Sequence, residues 1–408
     1  MLTQKQLKTG KTKTINSRDY YCSMKFRFLK IDLESKMTYN CHAAKPHPVN
    51  FVQLKSKPGE LFNTDVNVLE RQQMLTNGRN ASCEQNCWAA EDRGATSPRI
   101  EQGGIERTHE QVITTPEIID LTINGDCNLT CSYCSKEYSS SWRRDVVDCG
   151  DYPLTDFTDR YTATNKDRAL LEISQRNLKN TQHYQALVEE IRLLAPGLKR
   201  LTVTGGEPFL DNSLVTMLKD LPLADSAVIE IYTGLGVEYK RFERIVRELK
   251  TLKNVVIVVS GENTGKFLEF NRYGNKYNDF VAKVNLLKSD GIQLVFQATL
   301  SNLTVHDFHN FYKEYGNYEI WVTFAYQPTM MAPYVLDVDS KQKIKYNIQA
   351  IPEKYQKMIL NSIMAEPTEQ QRINAAEFLR EFVRRRPDLD LSIYPSTFLS
   401  WLGINNVV

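Results

Sequence analysis

The chain lacks any apolar run of the roughly 18 residues that a membrane-spanning helix needs, so an integral membrane protein is not expected. It lacks an apolar h-region near its N-terminus, the mark of a secretory signal, and the expectation is a cytoplasmic protein whose thiols stay reduced. It also has little net charge. Fifty-one Lys and Arg against 49 Asp and Glu leave +2 over 408 residues, which gives no global attraction to nucleic acid or to an anionic membrane. One local exception is residues 1–20, where Lys5, Lys8, Lys11, Lys13 and Arg18 precede the first acid, Asp19. This reads as a flexible, solvated basic tail, with a substrate-docking arm as the alternative. No internal repeat longer than a strand–helix unit is found. At 41% hydrophobic and 25% charged residues, the remainder is an ordinary globular composition, long enough for one large domain with attachments or for two.

Cysteine is scarce, eight in all, but unevenly placed. CNLTCSYC (127–134) holds Cys127, Cys131 and Cys134 in C-x3-C-x2-C spacing. SCEQNCW (82–88) holds Cys83 and Cys87. Cys22 and Cys41 flank a short two-strand pattern, and Cys149 stands alone. In a reducing compartment such groups point to metal or redox chemistry more than to disulfides.

From residue 117 strands and helices alternate. EIIDLTI (117–123), LKRLTVTG (198–205), AVIEIYT (227–233), NVVIVVS (254–260), IQLVFQATL (292–300) and YEIWVTFAY (318–326) are predicted strands, and 254–260 is apolar enough to be buried on both faces. Helices are predicted at 183–196, 212–221, 238–250, 278–290 and 305–315. Six strands over about 210 residues imply an α/β fold with a parallel sheet, either a partial (βα)6 barrel open on one side or a doubly wound sheet. Either fold places its site at the carboxyl ends of the strands. The cysteine triplet directly follows the first strand and TGGEPFL (204–210) the second, so both loops should emerge on one face. Upstream, residues 24–41 pattern as a β-hairpin with a polar turn near Ser35, and 42–110 are loop-rich. Downstream, 355–363 and 369–386 pattern as helices. In the second, Ile373, Ala376, Leu379 and Val383 line one face, and Arg384–Arg386 read as a solvated end suited to the helix dipole.

A structural zinc site wants four closed ligands, and iron–sulfur clusters usually take four thiolates. Three thiolates on a [4Fe–4S] cluster leave one iron open to a substrate or cofactor, with Tyr133 placed to shield it. Cys127-x3-Cys131-x2-Cys134, with an aromatic before the last cysteine, resembles the cluster loop of the radical S-adenosylmethionine (SAM) superfamily, and Gly205–Pro208 (GGEP) resembles its second signature. The resemblance covers residues 117 to about 326. It implies that the amine and carboxylate of S-adenosylmethionine chelate the open iron. It further implies that Gly205, Gly206 and Glu207 lie against the amino group, and that Ser260 and Arg272, in SGENTGKFLEFNRYG (260–274), are further contacts. The implied activity is reductive cleavage to a 5′-deoxyadenosyl radical that takes hydrogen from a substrate.

Cys22, Cys41, Cys83 and Cys87 resemble the ligands of the auxiliary iron–sulfur modules called SPASM and twitch, here ahead of the barrel. CEQNCWAAEDRGATSPR (83–99) and CSYCSKEYSSSWRRD (131–145) resemble a twitch-type group found in phages and bacteria. The resemblance implies a second [4Fe–4S] cluster, with zinc as the alternative metal. A turn near Ser35 sets Cys41 opposite Leu29, leaving Cys22 more than about 20 Å further along an extended strand. Either the chain folds back, or Cys149 or His42 replaces Cys22. Trp88, Arg93 and Arg99 are expected to pack the module.

The expected organisation is therefore a tail (1–20), an auxiliary module (21–112), a barrel (113–330) and a C-terminal helical extension (331–408). The expected substrate is a peptide or protein, with a nucleotide or small metabolite, or a non-catalytic iron–sulfur or zinc protein, as alternatives. The implied reductant is a flavodoxin or ferredoxin, and no nucleic acid or membrane partner is expected.

Overall fold

The structure is a computed structural model that describes residues 20–92, 94, 97–101, 103–109, 115–156, 158–172 and 179–404. The basic residues Lys5, Lys8, Lys11, Lys13 and Arg18, and Arg93, lie outside the described residues. By contacts the chain divides into two compact units. The first runs to Ile31 and resumes at Lys36–Ile119. The second takes the turn Asp32–Ser35 and everything from Asp120.

In the first unit, β1 (Phe28–Asp32) leads through the turn to β2 (Met37–Tyr39), which pairs antiparallel with β3 (His47–Pro48). The predicted first strand of the hairpin is thus half as long as the sequence suggested. Met24–Arg27 forms a single helical turn instead. The alternation MKFRF fits a strand, but Lys25 is fully buried and its ammonium holds Glu70 at 2.5 Å and the Ser82 hydroxyl at 2.8 Å. A strand would carry that ammonium away from both partners. Around this turn Tyr21, Cys22, Met24, Phe26, Phe28, Met74, Cys83, Cys87 and Trp88 form one buried core.

The second unit contains β4 (Ile118–Thr122), β5 (Thr130–Cys131), β6 (Arg200–Thr204), β7 (Val228–Thr233), β8 (Val255–Ser260), β9 (Arg272–Tyr273), β10 (Gln293–Leu300) and β11 (Glu319–Phe324). The order β4-β6-β7-β8-β10-β11 follows the chain without reversal. Pairing is parallel between β6 and β7, β7 and β8, β8 and β10, and β10 and β11. β5 and β9 form a separate antiparallel ribbon, with Cys131 opposite Arg272 and Thr130 opposite Tyr273.

Side chains alternate along each strand. Leu201, Val203, Ile229, Ile231, Ile257 and Val259 are buried on one face, and Val256, Val258 and Val295 cluster with Tyr232 and Trp321 on the other. The helices between strands carry their own signals. In Tyr239–Leu249, Phe242, Val246 and Leu249 are buried, and the Glu238 carboxylate caps the N-terminus by accepting from the Lys240 and Arg241 amides. Each such buried side chain contributes about 1.5–3 kcal/mol. No helix among the described residues is long and apolar enough to cross a membrane.

Glu353–Ile363 and Glu369–Arg384 are helical as predicted, and the latter opens with a capping box between Thr368 and Gln371. Two readings of it are corrected. Ala376 and Leu379 of the predicted face are buried, but Val383 is half-buried and Ile373 exposed, and Ala375, Phe378 and Phe382 complete the buried face instead. Phe378 and Phe382 pack at a tilt against Trp142, 6.2 and 5.9 Å between ring centres, and that aromatic layer sets the buried face of the helix. The Arg run is not a solvated end either. Arg384 is exposed, but the Arg385 and Arg386 side chains are buried, 2.9 and 3.0 Å from the two carboxylate oxygens of Asp145. Arg385 lies over Tyr152 and Arg386 over Phe382.

Candidate functional site

The loop after β4 and the loop after β6 meet through their backbones. The Gly206 amide donates to the Asn124 carbonyl at 2.8 Å, and the Glu207 amide to the Asp126 carbonyl at 2.7 Å. Gly205 has φ +148°, and a Cβ there would meet the Asn124 oxygen at 2.6 Å. A Cβ on Gly206 would come within 2.3 Å of the Asp126 oxygen. The glycine pair therefore lets this loop lie directly on the start of the cysteine loop. The Glu207 carboxylate is buried and accepts from the Thr233 hydroxyl at 2.7 Å and the Gly234 amide at 2.9 Å, which ties in the loop after β7. Burial raises its pKa, against the pull of those donors.

Cys127, Cys131 and Cys134 are free thiols, each partly exposed, and close enough to disfavour one another's ionisation. Burial pushes Cys134 up to about 12 and raises Cys127 well above the usual thiol value. It raises Cys131 too, while the Arg272 guanidinium beside it pulls the other way. A run of small polar residues pins the loop. Ser139 caps the helix Ser140–Cys149 and donates to the Leu129 carbonyl at 2.9 Å. Ser141 donates to the Cys127 carbonyl at 2.7 Å, and the Trp142 indole to the Cys131 carbonyl at 3.0 Å. Ser132 donates from its backbone amide to the Asn271 carbonyl at 2.8 Å. Carbonyls of the loop are thus held by hydrogen bonds from the elements around it.

Arg272 meets Glu262 through two hydrogen bonds of 3.0 and 2.7 Å, both side chains being buried. Its third nitrogen, Nη1, lies 3.9 Å from the Cys131 sulfur. Tyr133 donates from its phenol to Glu262 at 3.1 Å and lies 5.6 Å from the Arg272 guanidinium. Ser260 ends β8, half-buried.

The four remaining candidate thiols belong to the first unit. Cys22, Cys41, Cys83 and Cys87 are all buried and line one pocket with Lys25, Trp88 and Arg99. The turn at Met24–Arg27 resolves the distance problem of Cys22, because the chain folds back there. A widened helical turn at Glu84–Trp88 presents Cys83 and Cys87 together, and the Asn86 amide donates to the Ala43 carbonyl at 2.6 Å beside Cys41. Trp88 donates to the Asn80 carbonyl at 2.8 Å and lies under Arg99, so both pack the module as expected. Burial raises all four thiols, Cys22 to about 12 and Cys87 to about 11. His42 packs on Phe28 and does not line this pocket, and Cys149 is exposed at the end of Ser140–Cys149. No group of three or more His, Cys, Asp or Glu among the described residues closes on a single ion. A cluster spreads its thiolates over several irons and asks for a wider set.

No protein-family model and no curated protein matches the chain. Among solved structures it is similar to anSMEcpe with bound AdoMet, at 13% identity and a TM-score of 0.34, over 61% of this chain and 60% of that one. It is similar to native anSMEcpe with bound AdoMet and the Kp18Cys peptide, at 14% identity and 0.36, over 61% and 63%. It is also similar to SuiB of Streptococcus suis bound to S-adenosylmethionine, at 12% and 0.30, over 73% and 62%. The chain spans about three fifths of the length of each.

Several residues of the site escaped the sequence reading. Glu262 and Lys25 read as unremarkable charges. Glu34, in the turn Asp32–Ser35, accepts from the Gly125 amide and pairs with Arg143 at 2.8 Å at the entrance to the cysteine loop. Their only sequence signal was position: Glu262 follows a strand end, where a parallel sheet gathers its functional groups.

Proposed function

We propose that this protein is a radical S-adenosylmethionine enzyme built on a partial (βα)6 barrel (113–330) with a C-terminal helical extension (331–408). Its N-terminal module (21–112), twitch-like, would carry a second [4Fe–4S] cluster. The observation that carries the reading is the meeting of the triplet loop, with its three partly exposed thiols, and the glycine loop at the ends of neighbouring strands. The order of the six strands from β4 to β11, which follows the chain, supports the barrel.

The donor sets fit the implied groups. Three partly exposed thiols on one loop suit a cluster that must keep one iron free, and four buried thiols lining one pocket suit one that is closed. Cys127, Cys131 and Cys134 would hold the first, and Cys22, Cys41, Cys83 and Cys87 the second. When bound, the first supplies the electron that cleaves S-adenosylmethionine to the 5′-deoxyadenosyl radical. The chain's own residues bind, orient and exclude water. Gly205 and Gly206 hold the cofactor loop against the cysteine loop. Glu207 braces the adjoining loop after β7 and stands beside the proposed amino-group site. Ser260 and Arg272 are the proposed remaining contacts, and Tyr133, held by Glu262, is the proposed shield of the cluster.

The substrate is proposed to be a peptide or protein, as the resemblance of the N-terminal module implies, and the reductant a flavodoxin or ferredoxin. Anaerobically reconstituted, reduced protein is expected to convert S-adenosylmethionine to 5′-deoxyadenosine. Iron-loaded protein that makes none is the non-catalytic alternative and ends the enzyme reading. Deuterium transfer into 5′-deoxyadenosine from labelled peptides, but not from labelled nucleotides or metabolites, is the expected mark of the substrate class.

A further inference from the structure

Arg272 stands where it meets more than a carboxylate. Its guanidinium is buried and already engaged on two sides, with Nε and Nη2 on the two oxygens of Glu262. Nη1 faces the Cys131 sulfur at 3.9 Å. The backbone holds the same geometry, because Arg272 and Cys131 lie opposite each other in the β5–β9 ribbon. Glu262 is fully buried and also receives the Tyr133 phenol, so the ion pair has no freedom to rotate toward solvent. A buried pair of this kind is an oriented dipole whose positive end points at a thiol of the triplet. Charge and N–H donors near the sulfurs are the means by which a protein sets a cluster's reduction potential.

We propose that Glu262 and Arg272 form a tuning pair for the cluster held by Cys127, Cys131 and Cys134. Arg272 donates to the Cys131 thiolate and holds the potential up, and Glu262 fixes the guanidinium and limits how far it rises. The inference rests on the function proposed above, and it gives Arg272 a task before any S-adenosylmethionine is bound.

The test is an EPR-monitored redox titration of the reconstituted full chain without S-adenosylmethionine. Arg272→Gln removes the positive end and is expected to shift the midpoint of the triplet cluster to a more negative value. Glu262→Gln, of nearly the same shape, leaves the guanidinium uncompensated and is expected to shift it the other way. Arg272→Lys keeps the charge, is expected to stay near the wild type, and serves if Arg272→Gln fails to load iron. Shifts of opposite sign support the pair, since mere loosening of the loop would move both variants in one direction. Midpoints that do not move, or that move together, overturn it. If Arg272 served only as a contact for the cofactor's carboxylate, affinity for S-adenosylmethionine would fall with the cofactor-free midpoint unchanged, and that result also overturns it. Wild-type iron content that survives replacement of the three cysteines would instead remove the function beneath the inference.

Discussion

At Gly206 a single methyl group would sit 2.3 Å from the Asp126 carbonyl oxygen, and backbone cannot give way as a flexible side chain can. Gly206→Ala is therefore expected to separate the two loops, to destabilise the protein by about 1–3 kcal/mol and to abolish 5′-deoxyadenosine formation. A thermal melt beside a product assay checks both. Unchanged stability would mean that the two loops do not touch as described. This residue was legible in the sequence because glycine pairs at strand ends carry a backbone meaning. Cys127, Cys131 and Cys134 were legible by spacing. Glu262, Lys25 and Glu34 were not, since each acquires its meaning from a side chain that only the fold brings to it: Arg272, Glu70 and Arg143.

Among the elements, all six main strands lie where the β-branched runs put them, and the strand β8 is buried through Val256, Ile257, Val258 and Val259 as its composition demanded. Local pattern failed where tertiary partners decide. Met24–Arg27 coils because Lys25 needs Glu70 and Ser82, and the buried face of the helix Glu369–Arg384 is set by the rings of Trp142 and Phe378. The same helix anchors the one that follows the cysteine loop. Asp145 takes both Arg385 and Arg386, and Arg386 also reaches the Thr130 hydroxyl at 3.2 Å, next to Cys131. Asp145→Ala should leave buried cations short of a partner and destabilise the second unit by about 3–5 kcal/mol. Arg384→Ala, at the exposed position, should stay within about 0.5 kcal/mol of wild type. Urea titration of the two variants compares them directly, and equal effects would return the Arg run to the solvated role the sequence suggested.

For the whole molecule, the two compact units hold separate thiol groups, Cys22, Cys41, Cys83 and Cys87 in the first and Cys127, Cys131 and Cys134 in the second, and the membership of the turn Asp32–Ser35 in the second unit was not legible in the sequence. Stability should also carry a pH signature. His306 is buried against Tyr394 and Phe398, and burial holds its pKa down at about 4. Between that value and the unfolded one near 6.5, the unfolded chain binds the extra proton, so stability falls as pH drops through this window. The loss should reach about 3 kcal/mol below pH 4. In urea titrations at several pH values, His306→Gln should flatten that part of the slope, and an unaltered slope would assign it to other groups.

The central claim is that three thiols hold a cluster with an open iron while four others close a second. It is tested most directly by iron and sulfide analysis with EPR of the reduced protein, before and after S-adenosylmethionine, on wild type and on the Cys127/Cys131/Cys134→Ala variant. The account predicts two clusters in the wild type, one of which changes its signal when S-adenosylmethionine is added. The variant should keep one cluster, indifferent to the cofactor. Equal iron in the two proteins, or a wild-type signal that S-adenosylmethionine leaves unchanged, would contradict it.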